Sequence, residues 1–420
     1  MSETHHLNDS QLPATYLVGG AVRDQLLGLA IKDRDYVVVG SDPEQMLAQG
    51  FLPVGKDFPV FLHPETKDEY ALARTERKTA KGYHGFEFNA ECSVTLEDDL
   101  LRRDLTINAM AMDADGQIID PHGGQQDINN KVLRHVSPAF AEDPVRVLRV
   151  ARFMSRFKHL GFAVHPETMQ LMCQLVNAGE IEALVSERVW QEIKNSLNQT
   201  TPSAFFLTLR ACGALKILLS EIDCLFGVPQ TAQWHPEVDT GIHAMLAIDQ
   251  AKDLDNDVAF AVMVHDLGKG ITPEHVLPSH RGHEMAGVPL VKAVSQRLKV
   301  PNHYKKLALV VCQWHLHAHT VKELRATTVE KLFSRINAYR QPELLEKFVQ
   351  ACQADATGRW GDEFKTYPQA DYLRKLFTAA QQVNKQPLYD QGYEGQELGK
   401  QIRQLRVFAI QSMKQQLSQT

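Results

Sequence analysis

The sequence predicts an α+β domain at its N-terminal end, built on a small mixed sheet, with an all-α body behind it. Short β-rich runs (TYLV, YVVVG, EYALART, IID) alternate with Gly and Pro turns between residues 16 and 135. From about residue 140 onward the apolar spacing is helical almost throughout. Within that body the histidines are crowded: ten of the 18 lie between 235 and 319. The chain therefore reads as a polar extension (1–15), a mixed head (16–140), a helical stretch (141–230), a histidine-rich segment (231–335) and a helical tail (336–420). GVPQTAQWHPE, residues 227–237, reads as a linker in front of the histidine-rich segment.

Composition narrows the class. With 44% hydrophobic and 23% charged residues, the 420-residue chain is ordinary globular material. Its longest apolar stretches, such as YVVVG (36–40) and AFAVMV (259–264), fall far short of a membrane span. MSETHHLNDSQLPAT lacks the apolar core of a secretory signal, and the six cysteines are scattered without a CxxC pair. A cytoplasmic protein with reduced thiols and no membrane partner is expected. The net charge of −6 argues against a protein that coats nucleic acid indiscriminately. Residues 321–420 carry 15 Lys+Arg against 11 Asp+Glu, a balance of +4 that leaves −10 for the rest. A mildly basic tail on an acidic body permits a local RNA contact.

The head opens with LVGGAVRDQLLG. TYLV reads as a strand that stops at Gly19-Gly20, and a helix begins directly after the glycines. Residues without side chains let a phosphate approach the free amides of a helix N-terminus, where the helix dipole also favours anions. Arg23, in the first turn, can reach the same phosphates. A simple tight turn would use the same glycines. Asp33 and Asp35, in KDRDYVVVG, alter that balance. On a strand, side chains two apart share a face, and adjacent carboxylates repel unless a cation sits between them. Hard oxygen ligands suit Mg²⁺, and phosphoryl transfer commonly uses such ions. Solvated loop aspartates are the alternative. Glu69, in EYALART, is a candidate third carboxylate.

Further along, LLRRDLTINAM sets an Arg fork beside an Asp, a pattern that binds phosphate and a ribose hydroxyl or forms a structural ion pair. EDPVRVLRVARFMSR is a helix whose arginines share one side. At about 100° per residue, Arg146, Arg149, Arg152 and Arg156 fall within a sector of about 120°, with Phe153 the apolar exception among them. Such a stripe on a partly buried helix needs an anionic partner, and a triphosphate fits. Asp143 is either a functional carboxylate or the helix cap.

In the histidine-rich segment AVMVHDLGKG joins His265 to Asp266 at the end of an apolar helix. GIHAML supplies His243, SHRGHEMAG supplies His280 and His283, and QWHLHAHT supplies His315, His317 and His319. Mixed imidazole and carboxylate ligands suit Mn, Ni, Fe or Zn better than Ca. Satisfied surface histidines are the alternative.

The head resembles the tRNA nucleotidyltransferase (CCA-adding enzyme) and poly(A) polymerase superfamily in its eubacterial branch. GGAVRDQLLG and KDRDYVVVG carry the resemblance, followed in order by RTERKTAKGYHGFEF (74–88), RRDLTINAMA (102–111), DPHGGQQD (120–127) and EDPVRVLRVARF (142–153). It implies a polymerase β-like nucleotidyltransferase head in which Asp33 and Asp35 are catalytic and bind Mg²⁺. Gly20, Arg23 and Arg103 would then contact the incoming nucleotide, the RRD block its sugar, and Arg149 and Arg152 its phosphates. Asp143 and Arg146 would read the base. A carboxylate accepts from an exocyclic amine while an Arg donates beside it, a pattern that both C and A satisfy and that U and G do not. The implied substrates are CTP, ATP and tRNA, gripped at the acceptor end and T arm, by a monomer or weak homodimer.

The histidine-rich segment resembles the HD metal-dependent phosphohydrolases, whose pattern is H…HD…D. His243, His265 and Asp266 match that pattern. Asp355, in QADATGR, is the best-placed final Asp, though far downstream. His283 and His315 stand as further ligands or substrate contacts. The resemblance implies a divalent transition metal such as Ni²⁺, or Mg²⁺. A head of this kind joined to an HD domain is similar to one subgroup of bacterial CCA-adding enzymes, which implies phosphatase, 2'-nucleotidase and 2',3'-cyclic phosphodiesterase activity beside CCA addition and repair. A bacterial poly(A) polymerase, and an HD hydrolase with a nucleotide-sensing head, are the alternatives.

Overall fold

The computed structural model describes residues 13–54, 60–78, 86–89, 91–361 and 365–419. The chain divides into two compact units, residues 1–188 with 211–214 and residues 189–210 with 215–420. No helix among the described residues is long and apolar enough to cross a membrane.

The first unit is built on a seven-stranded mixed sheet. Its strands are β1 (Thr15–Val18), β2 (Asp35–Val38), β3 (Leu52–Val54), β4 (Val60–Leu62), β5 (Glu69–Leu72), β8 (Ala111–Met112) and β9 (Ile118–Ile119), in the order β3-β4-β5-β2-β1-β8-β9. A separate hairpin pairs β6 (Thr75–Lys78) with β7 (Phe86–Asn89). Residues 79–85, within the RTERKTAKGYHGFEF stretch, lie outside the described residues. The unbroken apolar run of β2 has a plain cause. Successive side chains point to opposite faces, and both faces are covered. Val37 packs with Val18, Leu96, Leu100 and Ala109 on one side. Its neighbour Val38 packs with Met46, Phe51, Phe61 and Leu72 on the other.

Register positions the site. β1 runs antiparallel to β2 with Val18 opposite Asp35. β5 runs parallel to β2 with Glu69 opposite Asp35. The Gly19-Gly20 turn, Asp35 and Glu69 therefore meet at one end of the sheet. Four helices flank this arrangement: α1 (Gly20–Leu26), α2 (Pro43–Ala48), α3 (Leu96–Leu101) and α4 (Gly124–Asn129). Then α5 (Val145–Phe157) buries Val147, Leu148, Val150, Ala151 and Phe157 completely. Each Val, Leu or Phe among them contributes about 1.5–3 kcal/mol of burial, which anchors the helix and leaves its arginines on the opposite side.

The second unit is helical. Helix Asn256–Val264 is apolar on all sides and buried from Asp257 to Val264, so it forms the core on which Asn302–His319 and Pro342–Thr357 pack. Because His265 and Asp266 follow it directly, they emerge inside the unit instead of on its surface. The turn after them lies hard against helix His283–Arg297. A side chain at Gly268 would stand 2.0 Å from the His283 carbonyl oxygen, so only glycine fits there. Residues 227–237 are not a linker. Gln230 N–H donates to the Val238 carbonyl at 2.7 Å, the Asp239 carboxylate accepts from Gly227 N–H at 2.6 Å, and the Gln230 and Glu237 side chains are buried. The segment folds into the unit that the histidines build.

Candidate nucleotide cleft and candidate metal centre

In the first unit a cleft of about 940 Å³ opens at the end of the sheet where Gly19, Gly20, Asp35 and Glu69 meet. Nine arginines line it (Arg23, Arg74, Arg102, Arg103, Arg146, Arg149, Arg152, Arg156 and Arg188), against five carboxylates (Asp33, Asp35, Glu69, Asp104 and Asp143). An excess of four positive charges in one cleft of an acidic chain describes an anion site. Every head residue singled out from sequence lines this cleft, Glu69 included.

The carboxylates are crowded. β2 begins at Asp35, and Asp33 sits in the loop just ahead of it. The Asp35 carboxyl is pushed above its ordinary value by burial and by Glu69 beside it, against the pull of Arg103, with Asp33 and Asp68 adding to the rise. A cation bound among these oxygens would relieve that repulsion, so the donor set fits a hard divalent ion.

The arginines fall into two kinds. Arg23 is buried and structural in its contacts. Its Nε donates to Asp24 at 2.9 Å, Nη1 donates to Asn108, and the guanidinium lies 5.3 Å and 5.1 Å from the ring centres of Phe153 and Phe157. Arg102 and Arg103 both clamp Asp99, which is fully buried. Burial opposes that charge, and the two guanidinium groups overcome it, holding the Asp99 carboxyl below its ordinary value. Arg103 also closes on the glycine turn. A Cβ at Gly19, where φ is +65°, would lie 2.8 Å from its Nη1.

On α5, Arg149 Nε donates to Asp104 at 2.7 Å, and Arg156 donates to Asp24 at 2.7 Å. Phe153 now has a reason to stand among the arginines. Its buried ring lies 5.3 Å from the Arg23 guanidinium, 5.8 Å from that of Arg149 and 4.5 Å from that of Arg152. Arg146 donates to the main-chain carbonyls of Ala139, at 3.0 Å, and Arg102. Asp143 accepts from the Val145 amide at 3.1 Å, in the manner of a cap, and also from Arg188 Nη2 at 2.8 Å. Sequence reasoning missed Arg188. It comes from the start of another helix, Ser186–Leu197, and nothing local marks it.

The second unit holds a different constellation. His243, His265, Asp266, His283, His315 and Asp355 are all buried and converge. His243 Nε2 lies 3.0 Å from Asp355 Oδ1, His265 Nε2 lies 3.2 Å from Asp266 Oδ2, and His283 Nε2 lies 3.1 Å from Asp266 Oδ1. His283 Nε2 and His315 Nε2 are 3.3 Å apart. Thus Asp355, 112 residues from His243, belongs to the group. The Nδ1 atoms of His265, His283 and His315 face main-chain carbonyls at 2.7 Å (Val262), 2.9 Å (His280) and 3.0 Å (Val311). With Nδ1 so turned, the Nε2 atom of each ring points inward.

The group fits a metal ion. His265 Nε2 and Asp266 Oδ1 are buried with no hydrogen-bond partner despite the oxygens and nitrogens around them. Ligand atoms of His243, His265 and Asp266, of His265, His315 and Asp355, and of Asp266, His283 and His315 lie within 4.8 Å of one another in each set. Burial pushes the His315 ring down to about 3, against the attraction of Asp266, so it is neutral and able to ligate. Burial also opposes the charge on Asp266 and Asp355. His265 foremost, then Lys269 for Asp266 and His319 for Asp355, hold both carboxyls well below their ordinary value. Soft sulfur is absent from the inward-facing set, which is imidazole and carboxylate throughout.

Two neighbours, Lys269 and Glu237, were not singled out from sequence, and His319 was named there only as a member of the histidine cluster. Lys269 Nζ lies 2.6 Å from Asp266 Oδ2, His319 Nε2 lies 2.7 Å from Asp355 Oδ2, and Glu237 Oε1 lies 3.0 Å from His243 Nδ1. The spacing of His315 and His319, four residues apart on one helix, was a usable signal for His319. His317, two residues after His315, packs instead against Trp314, with ring centres 4.7 Å apart and the planes tilted by 55°.

Two family models match parts of the chain. Residues 15–134 match the family described as the poly(A) polymerase head domain. Residues 161–225 match the one described as "Probable RNA and SrmB-binding site of polymerase A". A multifunctional CCA protein of Hahella chejuensis is 56% identical over 402 residues, 95% of each chain. One from Acinetobacter baumannii is 55% identical over 403 residues, covering 96% of this chain and 98% of its own. Among solved structures, the Bacillus stearothermophilus CCA-adding enzyme in complex with CTP superimposes with a TM-score of 0.65 at 22% identity, over 97% of this chain and 95% of that one. The Thermotoga maritima CCA-adding enzyme complexed with tRNA(CCA) gives 0.60 at 19% identity, over 96% and 91%. At that identity the likeness is one of fold.

Proposed function

The chain belongs to the multifunctional CCA protein family, and from that premise we propose that it adds and repairs the 3'-terminal CCA of tRNA from CTP and ATP and hydrolyses phosphate esters at a separate HD centre. The observation that carries the transferase reading is the joining of Asp33, Asp35 and Glu69 to nine arginines in one cleft. Asp33 and Asp35 would hold Mg²⁺, which supplies charge neutralisation at the transferring phosphoryl group. Everything else falls to side chains already in position. Arg149 and Arg152 receive the triphosphate, and Arg103, braced on Asp99, stands where the glycine turn lets a phosphate come close.

Base selection is assigned to Asp143 and Arg146. Both are braced, Asp143 by Arg188 and Arg146 by two main-chain carbonyls. A braced carboxylate and guanidinium accept from the amine of C or A and donate to the neighbouring ring atom. U and G would leave buried polar groups unpaired, which costs far more than a lost methyl contact. No nucleic-acid template is needed for that choice.

In the second unit, His243, His265, Asp266 and Asp355 would hold a divalent transition metal, with Ni²⁺ the favoured ion and Mg²⁺ the alternative. The chemistry such an ion would supply, once held by these residues, is activation of water for attack on phosphorus. The substrates proposed are phosphomonoesters, 2'-nucleotides and 2',3'-cyclic phosphodiesters of the kind left at a damaged RNA end.

The test is extension of a tRNA transcript lacking its CCA, at single-nucleotide resolution, with Mg²⁺ and CTP, ATP or both. Growth that halts at three nucleotides, with A entering only after C, is expected. A long ladder from ATP alone would replace this reading with a poly(A) polymerase. Asp35→Ala is expected to abolish addition and spare hydrolysis, and Asp266→Ala to do the reverse. Loss of both activities in either folded variant would overturn the two-site reading.

A further inference from the structure

Among the four inward-facing imidazoles, one is held differently. His265, His283 and His315 each turn Nδ1 to a neutral main-chain carbonyl. His243 turns Nδ1 to a carboxylate, Glu237 Oε1, at 3.0 Å, and both side chains are fully buried. Its other nitrogen, Nε2, lies 3.0 Å from Asp355 Oδ1. A neutral imidazole carries one N–H and one lone pair. With carboxylates at both ends, one end needs a second positive centre, a proton or a metal ion.

Glu237 does not act alone. Its Oε1 also lies 3.1 Å from His235 Nδ1 and accepts from Gln230 Nε2 at 3.3 Å, and the His235 and His243 rings stand 4.5 Å apart. Gln230 Oε1 accepts from Lys269 Nζ at 3.0 Å, and the same ammonium lies 2.6 Å from Asp266. The contacts run from Asp266 through Lys269, Gln230 and Glu237 to His243, joining two of the inward-facing groups through an outer chain of polar side chains.

We propose that Glu237 is the positioning residue of the HD centre: its carboxylate takes the Nδ1–H of His243, fixes that ring as an Nε2 ligand, and makes it the most electron-rich imidazole in the set. The loop 227–237 is thereby part of the metal centre. The inference rests on the HD reading above, since it concerns how that site holds its ion. Carboxylate–imidazole–metal arrangements strengthen the ligand, and their loss typically costs about 10- to 100-fold in metal affinity.

The experiment uses the full chain. Glu237→Gln keeps the size of the side chain and removes its charge. Ni²⁺ and Co²⁺ are titrated by calorimetry, the visible d–d spectrum of the Co²⁺-loaded protein is recorded, and the thermal melt of the full chain serves as the measure of folding, with CCA addition followed beside it. The expected result is a loss of affinity of about 10- to 100-fold together with a shifted Co²⁺ spectrum, nucleotide addition being retained. Hydrolysis should recover toward the parent level as metal is raised. Unchanged affinity and an unchanged spectrum would overturn the proposal. If Glu237→Gln fails to fold, Glu237→Asp keeps the charge and withdraws the oxygen from Nδ1. The same loss is expected there, and parent-like binding would be equally fatal. Failure of the parent chain to bind either ion would instead remove the HD reading itself, which separates the two outcomes.

Discussion

The two centres solve the problem of holding charge in opposite ways. The cleft of the first unit is open, and much of its charge faces the cavity: nine arginines and five carboxylates line it, and Arg149 keeps about a third of its side chain exposed. The cluster of the second unit is closed. His243, His265, Asp266 and Asp355 are each at most 5% exposed and lie against one another. A cleft that must admit a large, variable anion braces its arginines on carboxylates and main-chain carbonyls and keeps the cavity between them open. A centre that holds one small cation can balance its charges internally and gains specificity from the enclosure. The difference teaches where each site should be fragile: the cleft in its substrate dependence, the cluster in its stability.

The largest expected effect tests the closed site. Asp355 lies against His243 Nε2 at 3.0 Å, His265 Nε2 at 3.5 Å and His319 Nε2 at 2.7 Å. Asp355→Asn removes the charge that these rings share and leaves the shape nearly intact. Breaking a buried ionic set from one side costs about 3–5 kcal/mol, so the metal-free protein should melt well below the parent. Hydrolysis should fall by more than the about 100-fold ascribed to outer-shell changes. Calorimetry with and without Ni²⁺, beside a phosphatase assay, decides the matter. A parent-like melt would mean that Asp355 is a spectator, and the contrast with the open cleft would weaken.

The next effect tests the open site. Arg188 braces Asp143 through a contact of 2.8 Å. Arg188→Ala should leave the fold intact and let the carboxylate swing. A misplacement of about 1 Å can cost about 100-fold in rate, so kcat/KM for correct C and A addition should drop by about 10- to 100-fold. Misincorporation of U should rise in the same assay. If discrimination holds while rate falls, Asp143 does not read the base.

These two residues also mark how far the sequence could be read. The head was legible because its chemistry is local. Asp35 and the arginines of α5 follow from strand and helix periods, Asp33 lies in the loop two residues ahead of Asp35, and the register of β1 and β5 on β2 brings Gly19-Gly20 and Glu69 beside Asp35. Even Glu69 followed from its place in a strand-like run. The HD pair was legible for the same reason, since an apolar helix ends on it. Asp355 was reachable only as the best of several distant candidates, because 112 residues separate it from His243. Arg188 and Glu237 were invisible. The first is a lone arginine at a helix start, and the second sits in a Gly- and Pro-containing stretch whose composition reads as linker. What folds that stretch is Asp239, which caps the next helix by accepting from the Ile242 amide, as its place predicts, and also accepts from Gly227, which no spacing rule predicts.

The smallest expected effect concerns Phe153, the apolar residue inside the arginine stripe. Its ring carries no polar group toward the cleft, yet the guanidinium groups of Arg23, Arg149 and Arg152 gather over it within 5.8 Å. Arginines gathered on one face repel one another in the absence of substrate. An aromatic face offsets part of that repulsion and holds the planes in place, at about 0.5–1 kcal/mol for an exposed pair. Phe153→Leu keeps an apolar side chain in the core and removes the ring. If the ring only fills space, the KM values for CTP and ATP should not move. If it preorganises the stripe, both should rise together by about two- to fivefold, the equivalent of about 0.5–1 kcal/mol, with kcat nearly constant. A rise for one nucleotide alone would tie Phe153 to base choice instead, and would shift part of the selectivity assigned to Asp143 and Arg146 onto the floor of the cleft.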